Sequence, residues 1–334
     1  MADATLLAVL AIGSLRGAAA LLRARWPLRA PATAILLWQA LGLAGGLATV
    51  GALLAVGADG AGVAGIGVGE AGTARPGVVG ELASLAQRPA GQLAGSREPV
   101  LLILVRVGCL LAGIALFAVL CWVLVMAFVT AVQARHRQRE LLALLAHGDP
   151  KAPGALVVDY PAAAAYCLPG IKSQIVVSAG TLDLLAPAEL AAVLAHERAH
   201  VRARHDLVLI PFTSLRRAFP RSRVIRQAQG TVALLVEMMA DDRALRVPAR
   251  GTHAEGRTLL ARELATALLR FGTASSGNAP APAGALAIAA EGDLTARVNR
   301  LLAPPRPLSR AVRATVVLGA ALLVVLPFLL LTAP

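Results

Sequence analysis

Four stretches of this chain are apolar over roughly the length of a bilayer crossing, and that leaves the backbone there few options. They are Thr5–Leu22, Thr33–Val56, Val100–Val129 and Ala314–Thr332. About 20 residues span the hydrocarbon layer. Inside it every N–H and C=O must find its partner within the protein, so each stretch is expected to be a helix. Ala314–Thr332 carries no charge, while Arg16 interrupts the first stretch and Arg106 lies near the start of the third. Arg16 can snorkel toward the basic end at Arg23 and Arg25. Hydrophobic residues make up 57% of the chain and aromatics 3%. That composition excludes an ordinary soluble domain of this length.

The net charge of +13 is unevenly distributed. Arg23, Arg25 and Arg29 follow the first stretch, Arg135, Arg137 and Arg139 follow the third, and Arg306, Arg310 and Arg313 precede the fourth. The segment 57–99 holds three Arg against four acidic residues and is nearly neutral. The positive-inside rule then predicts an outer N-terminus, an outer Gly/Ala-rich loop at 57–99, an inner segment from Ala131 to Arg313 and an outer C-terminus. Attraction to anionic lipid accounts for the basic residues; they do not alternate with aromatics, so nucleic acid is not an expected partner. The N-terminus lacks the basic region of a cleaved signal peptide. Cys109, Cys121 and Cys167 do not form a disulfide framework or a metal knuckle. Gly42 and Gly46 form a G-x-x-x-G pair of the kind that permits close helix packing.

Between the third and fourth stretches, His196-Glu197-Arg198-Ala199-His200 spells H-E-x-x-H. The chain has six His and ten Glu, which gives about 0.003 copies of this motif by chance. Pro187 and Glu189 mark a helix start, and a helix over Ala188–Arg204 is expected. On it the two imidazoles lie about 6 Å apart along the axis and about 40° apart around it. They can share one metal ion, with Glu197 beside them as a proton carrier.

A catalytic zinc takes three protein ligands and keeps one position open. Three residues compete for the third place. His205 is expected on another face of the helix. Asp206 has the offset used when a glycine bends the chain back to the metal, but Ala203 stands at the bend, so the helix is expected to continue. Glu237 lies on a second amphipathic helix, Gly230–Arg246, whose Leu234, Leu235, Met238 and Met239 mark it as buried. A buried carboxylate needs a partner, so Glu237 fits best and Asp206 remains the competitor. Asp241, one turn on, is expected to orient a metal-bound imidazole, the alternative being an ion pair with Arg198, Arg202 or Arg243. His253, Tyr166 and Arg297 are candidate oxyanion donors.

Around the motif, a helix Arg135–Ala146 extends the third stretch. Ala155–Asp159, Ala165–Leu168 and Gln174–Ser178 have strand character, and Gln174–Ser178 is a candidate edge for an extended substrate. Asp206–Phe219 is apolar around Pro211 and suits either a buried helix or a membrane-touching hairpin. Gly272–Gly292 reads as a loop and Asp293–Leu302 as a last short helix. The expected architecture is a membrane α-helical protein of about four transmembrane helices. Three occupy 1–130 (about 5–22, 33–56 and 100–129), and the fourth lies in 314–334. A cytoplasmic, mainly-α, α+β zincin-like metalloprotease domain at 131–313 is inserted between spans three and four.

These features together resemble the BlaR/MecR-type integral-membrane zinc metallopeptidases. The resemblance rests on Tyr166-Cys-Leu-Pro-Gly170, Ile175-Val-Val-Ser178, Glu189 to His200, Glu237-Met-Met-Ala-Asp241, and three spans before the motif with one after. It implies a cytoplasm-facing gluzincin in the bacterial plasma membrane, with Zn2+ on His196, His200 and Glu237 and with Glu197 catalytic. It also implies signal transduction by cleavage of a BlaI/MecI-like transcriptional repressor, with self-cleavage. Beta-lactam sensors of the family carry a penicillin-binding domain after span four, whereas this sequence stops at Pro334, so direct beta-lactam sensing is not expected. A quality-control protease of the HtpX type and a non-catalytic membrane scaffold are the alternatives.

Overall fold

The computed structural model describes residues 2–58, 100–170, 173–246, 253–275 and 291–332. In chain order these form α1 (Ala2–Arg23), a 3-10 turn (Trp26–Arg29), α2 (Pro31–Ala58) and α3 (Val100–Leu145). Strands β1 (Ala146–Gly148), β2 (Leu156–Val158), β3 (Ala165–Leu168) and β4 (Gln174–Ser178) follow. Helices α4 (Ala179–Leu184), α5 (Pro187–Ala203), α6 (His205–Ala218), α7 (Arg223–Ala244), α8 (His253–Ser275), α9 (Glu291–Leu302) and α10 (Arg310–Thr332) complete the chain. The loop expected at 57–99 falls mainly outside the described residues, as does most of Gly272–Gly292, while Gly272–Ser275 belongs to α8.

Two compact units result, one from Met1–Arg25, Thr33–Val123 and Leu308–Pro334, the other from Trp26–Ala32 and Leu124–Pro307. Among the described residues, four helices are long and apolar enough to cross a membrane: Asp3–Arg23, Pro31–Ala58, Leu101–Leu145 and Arg310–Thr332. In the first unit Ala4, Leu7, Ala48 and Ala55 are buried together against Leu330 and Leu331. On α2 the close approaches occur at Gly45, beside the Ser14 side chain, at Gly51, beside Leu7 and Leu331, and at Gly57, beside Leu110 and the Arg106 carbonyl. A Cβ at Gly42 would meet nothing and one at Gly46 only the tip of Leu120. The small-residue face therefore runs through Gly45, Ala48 and Gly51 rather than through the G-x-x-x-G pair.

In the second unit a four-stranded sheet has the order β1-β2-β4-β3. β2 and β4 are parallel, pairing Leu156 with Val176; β1–β2 and β4–β3 are antiparallel. Side chains alternate across a strand, and β4 shows the result. Ile175 and Val177 enter the main core with Val157, Ala165, Leu190, Val193, Leu194, Leu264, Leu268, Val298 and Leu301. Val176 faces the other way, against Leu142 of α3, Tyr166 and Leu168. The buried Ser178 and Thr181 hydroxyls share the Ala164 backbone between them, each 2.8 Å from its amide nitrogen, and Ser178 caps α4.

β4 is thus an interior strand, because its hydrogen-bonding groups are taken on both sides; β3 is the edge beside it. The extension of the third stretch expected over Arg135–Ala146 is the end of the 46-residue α3, which stops at Leu145. α8 has no counterpart in the sequence-based expectations, although Leu260, Leu264 and Leu268 recur at helical spacing. It supplies fully buried core. Leu264→Ala is expected to cost about 2–5 kcal/mol and to lower the thermal midpoint of the purified protein, read by differential scanning calorimetry.

Candidate metal centre

Helix α5 carries the H-E-x-x-H segment, and its start is fixed by sequence. Pro187 occupies the first turn, where its missing N–H is no loss. The Glu189 Oε2 accepts the Ala186 N–H at 2.8 Å, and Oε1 pairs with Arg270 Nε at 3.2 Å. The end of α5 differs from expectation. The chain breaks at Arg204, which takes left-handed values (φ 51, ψ 44), and α6 begins at once with His205. No glycine is needed, because a single residue absorbs the αL conformation at a modest cost.

That break decides where the next two residues go. Asp206 turns to Arg135 of α3, Oδ2 to Nη2 at 3.0 Å, and stands apart from the metal-ligating group. His205 turns back onto the motif: its Nδ1 lies 3.0 Å from Nδ1 of His200, with the rings edge-to-face at 4.8 Å. The side chain is 2% exposed.

Helix α7 faces α5 and brings Glu237 to the two histidines. Among the described residues, His196, His200 and Glu237 are the group of ligand-type side chains close enough to hold one ion. His196 Nε2 and His200 Nε2 are 3.0 Å apart. Glu237 Oε2 is 3.3 Å from the first and Oε1 3.5 Å from the second. Donors at about 2.0–2.1 Å from a tetrahedral zinc lie about 3.3–3.4 Å from one another, so this spacing suits zinc. The two Nε2 atoms face inward because both Nδ1 atoms are held from behind. His196 Nδ1 sits 2.8 Å from Asp241 Oδ1, and His200 Nδ1 meets His205.

A buried cation locks the carboxylates. Arg297 of α9 donates to Asp241 from Nε at 3.0 Å and from Nη2 at 2.8 Å. Its Nη1 reaches Glu237 Oε2 at 3.1 Å. One turn on, Arg300 makes the same two-pronged contact with Asp242, at 2.7 and 2.8 Å, and its Nε donates to the Leu28 carbonyl at 2.8 Å. Asp241 thus serves both readings anticipated for it, orienting an imidazole and pairing with an arginine, but the arginine is Arg297 rather than Arg198, Arg202 or Arg243. Arg297, fully engaged with carboxylates, is not placed to meet an oxyanion. Tyr166 packs on the far side of the sheet and bonds Gln138. The His253 side chain lies outside the described residues.

The electrostatics follow from burial and these partners. Burial would push the His196 imidazole down, but the Asp241 and Glu237 hydrogen bonds override it and raise it to about 10. A metal ion entering would have to displace that proton. Burial opposes the charge on Glu237 and Asp241. Hydrogen bonds from His196 and His200, with the Arg297 charge, hold Glu237 well below the usual carboxylate range. Arg297 and His196 hold Asp241 down. Glu197 lacks the hydrogen bonds: burial raises its carboxyl above the usual range, an effect that the charges of His196, His200 and Arg297 only partly offset, and its Oε1 is buried without a hydrogen-bond partner. His205 is lowered to about 3, first by burial and then by the charges of His200 and Arg243. It is therefore a neutral ring. With Nε2 of His200 turned to the cluster, the His200 Nδ1 carries the hydrogen and the His205 Nδ1 accepts it. Cys167 on the edge strand feels the same site. Burial, then the charges of Glu197, Asp206 and Glu237, push its thiol up to about 12.

Residues 131–296 match the model of Peptidase family M48. The matched segment contains His196, His200 and Glu237. The match does not single out the BlaR/MecR type. No curated protein and no solved structure matches the chain. Within the peptidase domain, sequence reasoning misses two supports of the metal centre. His205 escapes it because the helix is expected to continue, and Arg297 enters only as a candidate oxyanion donor because a distant helix leaves no local spacing signal.

Residues behind metal ligands typically change metal affinity by 10–100-fold. His205→Ala is therefore expected to weaken zinc binding roughly 10–100-fold, while His205→Asn, which keeps an acceptor, recovers part of it. Competition against a chromogenic chelator reads both. In the same assay Asp206→Ala binds zinc like wild type and Glu237→Ala does not.

Proposed function

We propose that this protein is a membrane-bound zinc endopeptidase in which His196, His200 and Glu237 hold the ion and Glu197 is the catalytic acid–base. The observation that carries this reading is the inward convergence of the three donor side chains at zinc spacing, beside one buried carboxylate that has been left unpartnered. Zinc held there supplies Lewis-acid polarisation of a water and of the scissile carbonyl. Glu197, raised by burial, takes a proton as the water attacks and delivers it to the leaving amine. Asp241 and His205 keep both imidazoles in the tautomer that presents Nε2. Arg297 keeps Glu237 ionised and in place. With β4 enclosed, the free edge of β3 is the strand next to α5 on which an extended substrate backbone can pair.

The four long apolar helices support attachment to the bilayer, and the clustering of arginines at the ends of the apolar stretches supports a cytoplasmic peptidase domain. The resemblance to the BlaR/MecR type supports regulated cleavage of a transcriptional repressor as the role. Glu197→Gln is expected to keep zinc and to lose proteolysis by at least about 10²-fold, the lower end of what a general base supplies. Zinc content together with cleavage of a quenched peptide library checks both halves, and undiminished cleavage sinks the catalytic assignment. Comparative proteomics of cells carrying wild type or Glu197→Gln separates the roles. A repressor that persists in the variant supports signalling, whereas accumulation of many misfolded membrane proteins supports quality control.

A further inference from the structure

The turn between α6 and α7 carries charge of a single sign. From Leu207 to Val236 the chain has five arginines, Arg216, Arg217, Arg221, Arg223 and Arg226, and no acidic residue. All five are exposed. Arg216 bonds Gln229 and Arg217 bonds Thr130, whereas Arg221, Arg223 and Arg226 make no ion pair with any described residue. Between them, Phe219 and Val224 each stand 40% exposed.

The direction of α6 gives this tip a target. At its start Asp206 pairs with Arg135 of α3, and near its end Arg217 Nη1 donates to Thr130 Oγ1 at 3.0 Å. The start of α6 thus touches α3 at Arg135, and its end touches α3 at Thr130, beside the apolar part of that helix, which ends at Val129. Ala127, Thr130, Ala131, Ala134 and Arg135 of α3 line a shared cleft with Asp206, Leu209, Ile210, Thr213 and Arg217. Phe219 follows two residues past Arg217.

We propose that the α6–α7 tip, Arg216–Arg226, docks on a phospholipid bilayer, with its arginines among anionic headgroups and Phe219 and Val224 in the interfacial layer. Basic residues beside apolar side chains suit that layer, and each arginine near an anionic surface adds its own increment of attraction. α5 and α6 meet at Arg204 and His205, so a docked tip also braces the element that holds His205 against His200. The inference rests on α3 as a membrane span and not on the peptidase chemistry.

The test uses the full chain in vesicles. Trp26, Trp38 and Trp122 are replaced by Phe, and Phe219→Trp places a single fluorescent reporter at the tip; a control retains only Trp122. Acyl-brominated phosphatidylglycerol or phosphatidylcholine is the quencher, at equal content in phosphatidylcholine vesicles. The expected result is quenching of the tip reporter that is stronger with the brominated anionic lipid and fades as salt is added. The triple variant Arg221→Glu, Arg223→Glu, Arg226→Glu lowers tip docking on the order of a hundredfold. Thermal melting of that variant shows whether it is folded, and Arg221→Gln alone gives the same trend with less perturbation. An unquenched tip reporter beside quenched Trp122 overturns the docking while leaving the span intact; unquenched Trp122 overturns the span reading itself. Equal quenching by both lipids that charge reversal leaves unchanged overturns the role of anionic headgroups.

Discussion

Arg297 is the only buried arginine or lysine among the described residues, and the site depends on it. Two carboxylates on α7, an imidazole on α5 and a third carboxylate at Glu197 share a space from which water is nearly excluded. Each ion moved there loses several kcal/mol of hydration. Without a matching charge Glu237 and Asp241 would protonate or turn outward, and α7 would lose its reason to bury that face. The guanidinium fork meets Asp241 with two hydrogen bonds and still has Nη1 for Glu237, which a lysine could not do. Arg300 repeats the contact on Asp242 one turn later, so α9 is keyed to α7 at two points.

That arrangement separates two kinds of carboxylate. Glu237 and Asp241 are supported by arginine and histidine and stay ionised as anchors. Glu197 lies on the same helix as the histidines yet receives no hydrogen bond at Oε1, and burial raises it. A carboxylate held ionised and one of raised proton affinity thus coexist within one small volume because their partners differ, the general way neighbouring acids acquire distinct properties. The imidazoles follow the same logic: both are held at Nδ1, one by a carboxylate and one by a neutral ring, so both offer Nε2.

Much of the fold is legible because its signals are local. Apolar stretches of membrane length form the long helices, Pro187 and Glu189 mark the start of α5, and short apolar runs broken by Pro161, Pro169 and Gly170 mark β2, β3 and β4. Sequence and structure part where a local rule meets a tertiary alternative. The helix through the motif is expected to run on for want of a glycine, yet Arg204 adopts the left-handed conformation and redirects His205 and Asp206. Strand β4 reads as a substrate edge, but strand order is not a property of a strand's own sequence. α8 goes unread because alanine-rich amphipathicity between two loop-like segments is a weak signal, although its leucines fill the core.

By itself the sequence determined the chemistry on offer: two histidines one helical turn apart with a glutamate beside them, and apolar stretches that only helices can satisfy. Periodicity fixes which residues of one element share a face, so these conclusions needed no partner element. The tertiary structure decided what each element faces. It set Glu237 and not Asp206 against the histidines, made His205 a support for His200, drew Arg297 from a remote helix to Asp241, and tied Arg217 of α6 to Thr130 of α3. Those pairings join residues of different elements, most of them far apart in the chain, and they are selected by the cost of burying charge without a partner, a quantity that exists only once the elements are packed.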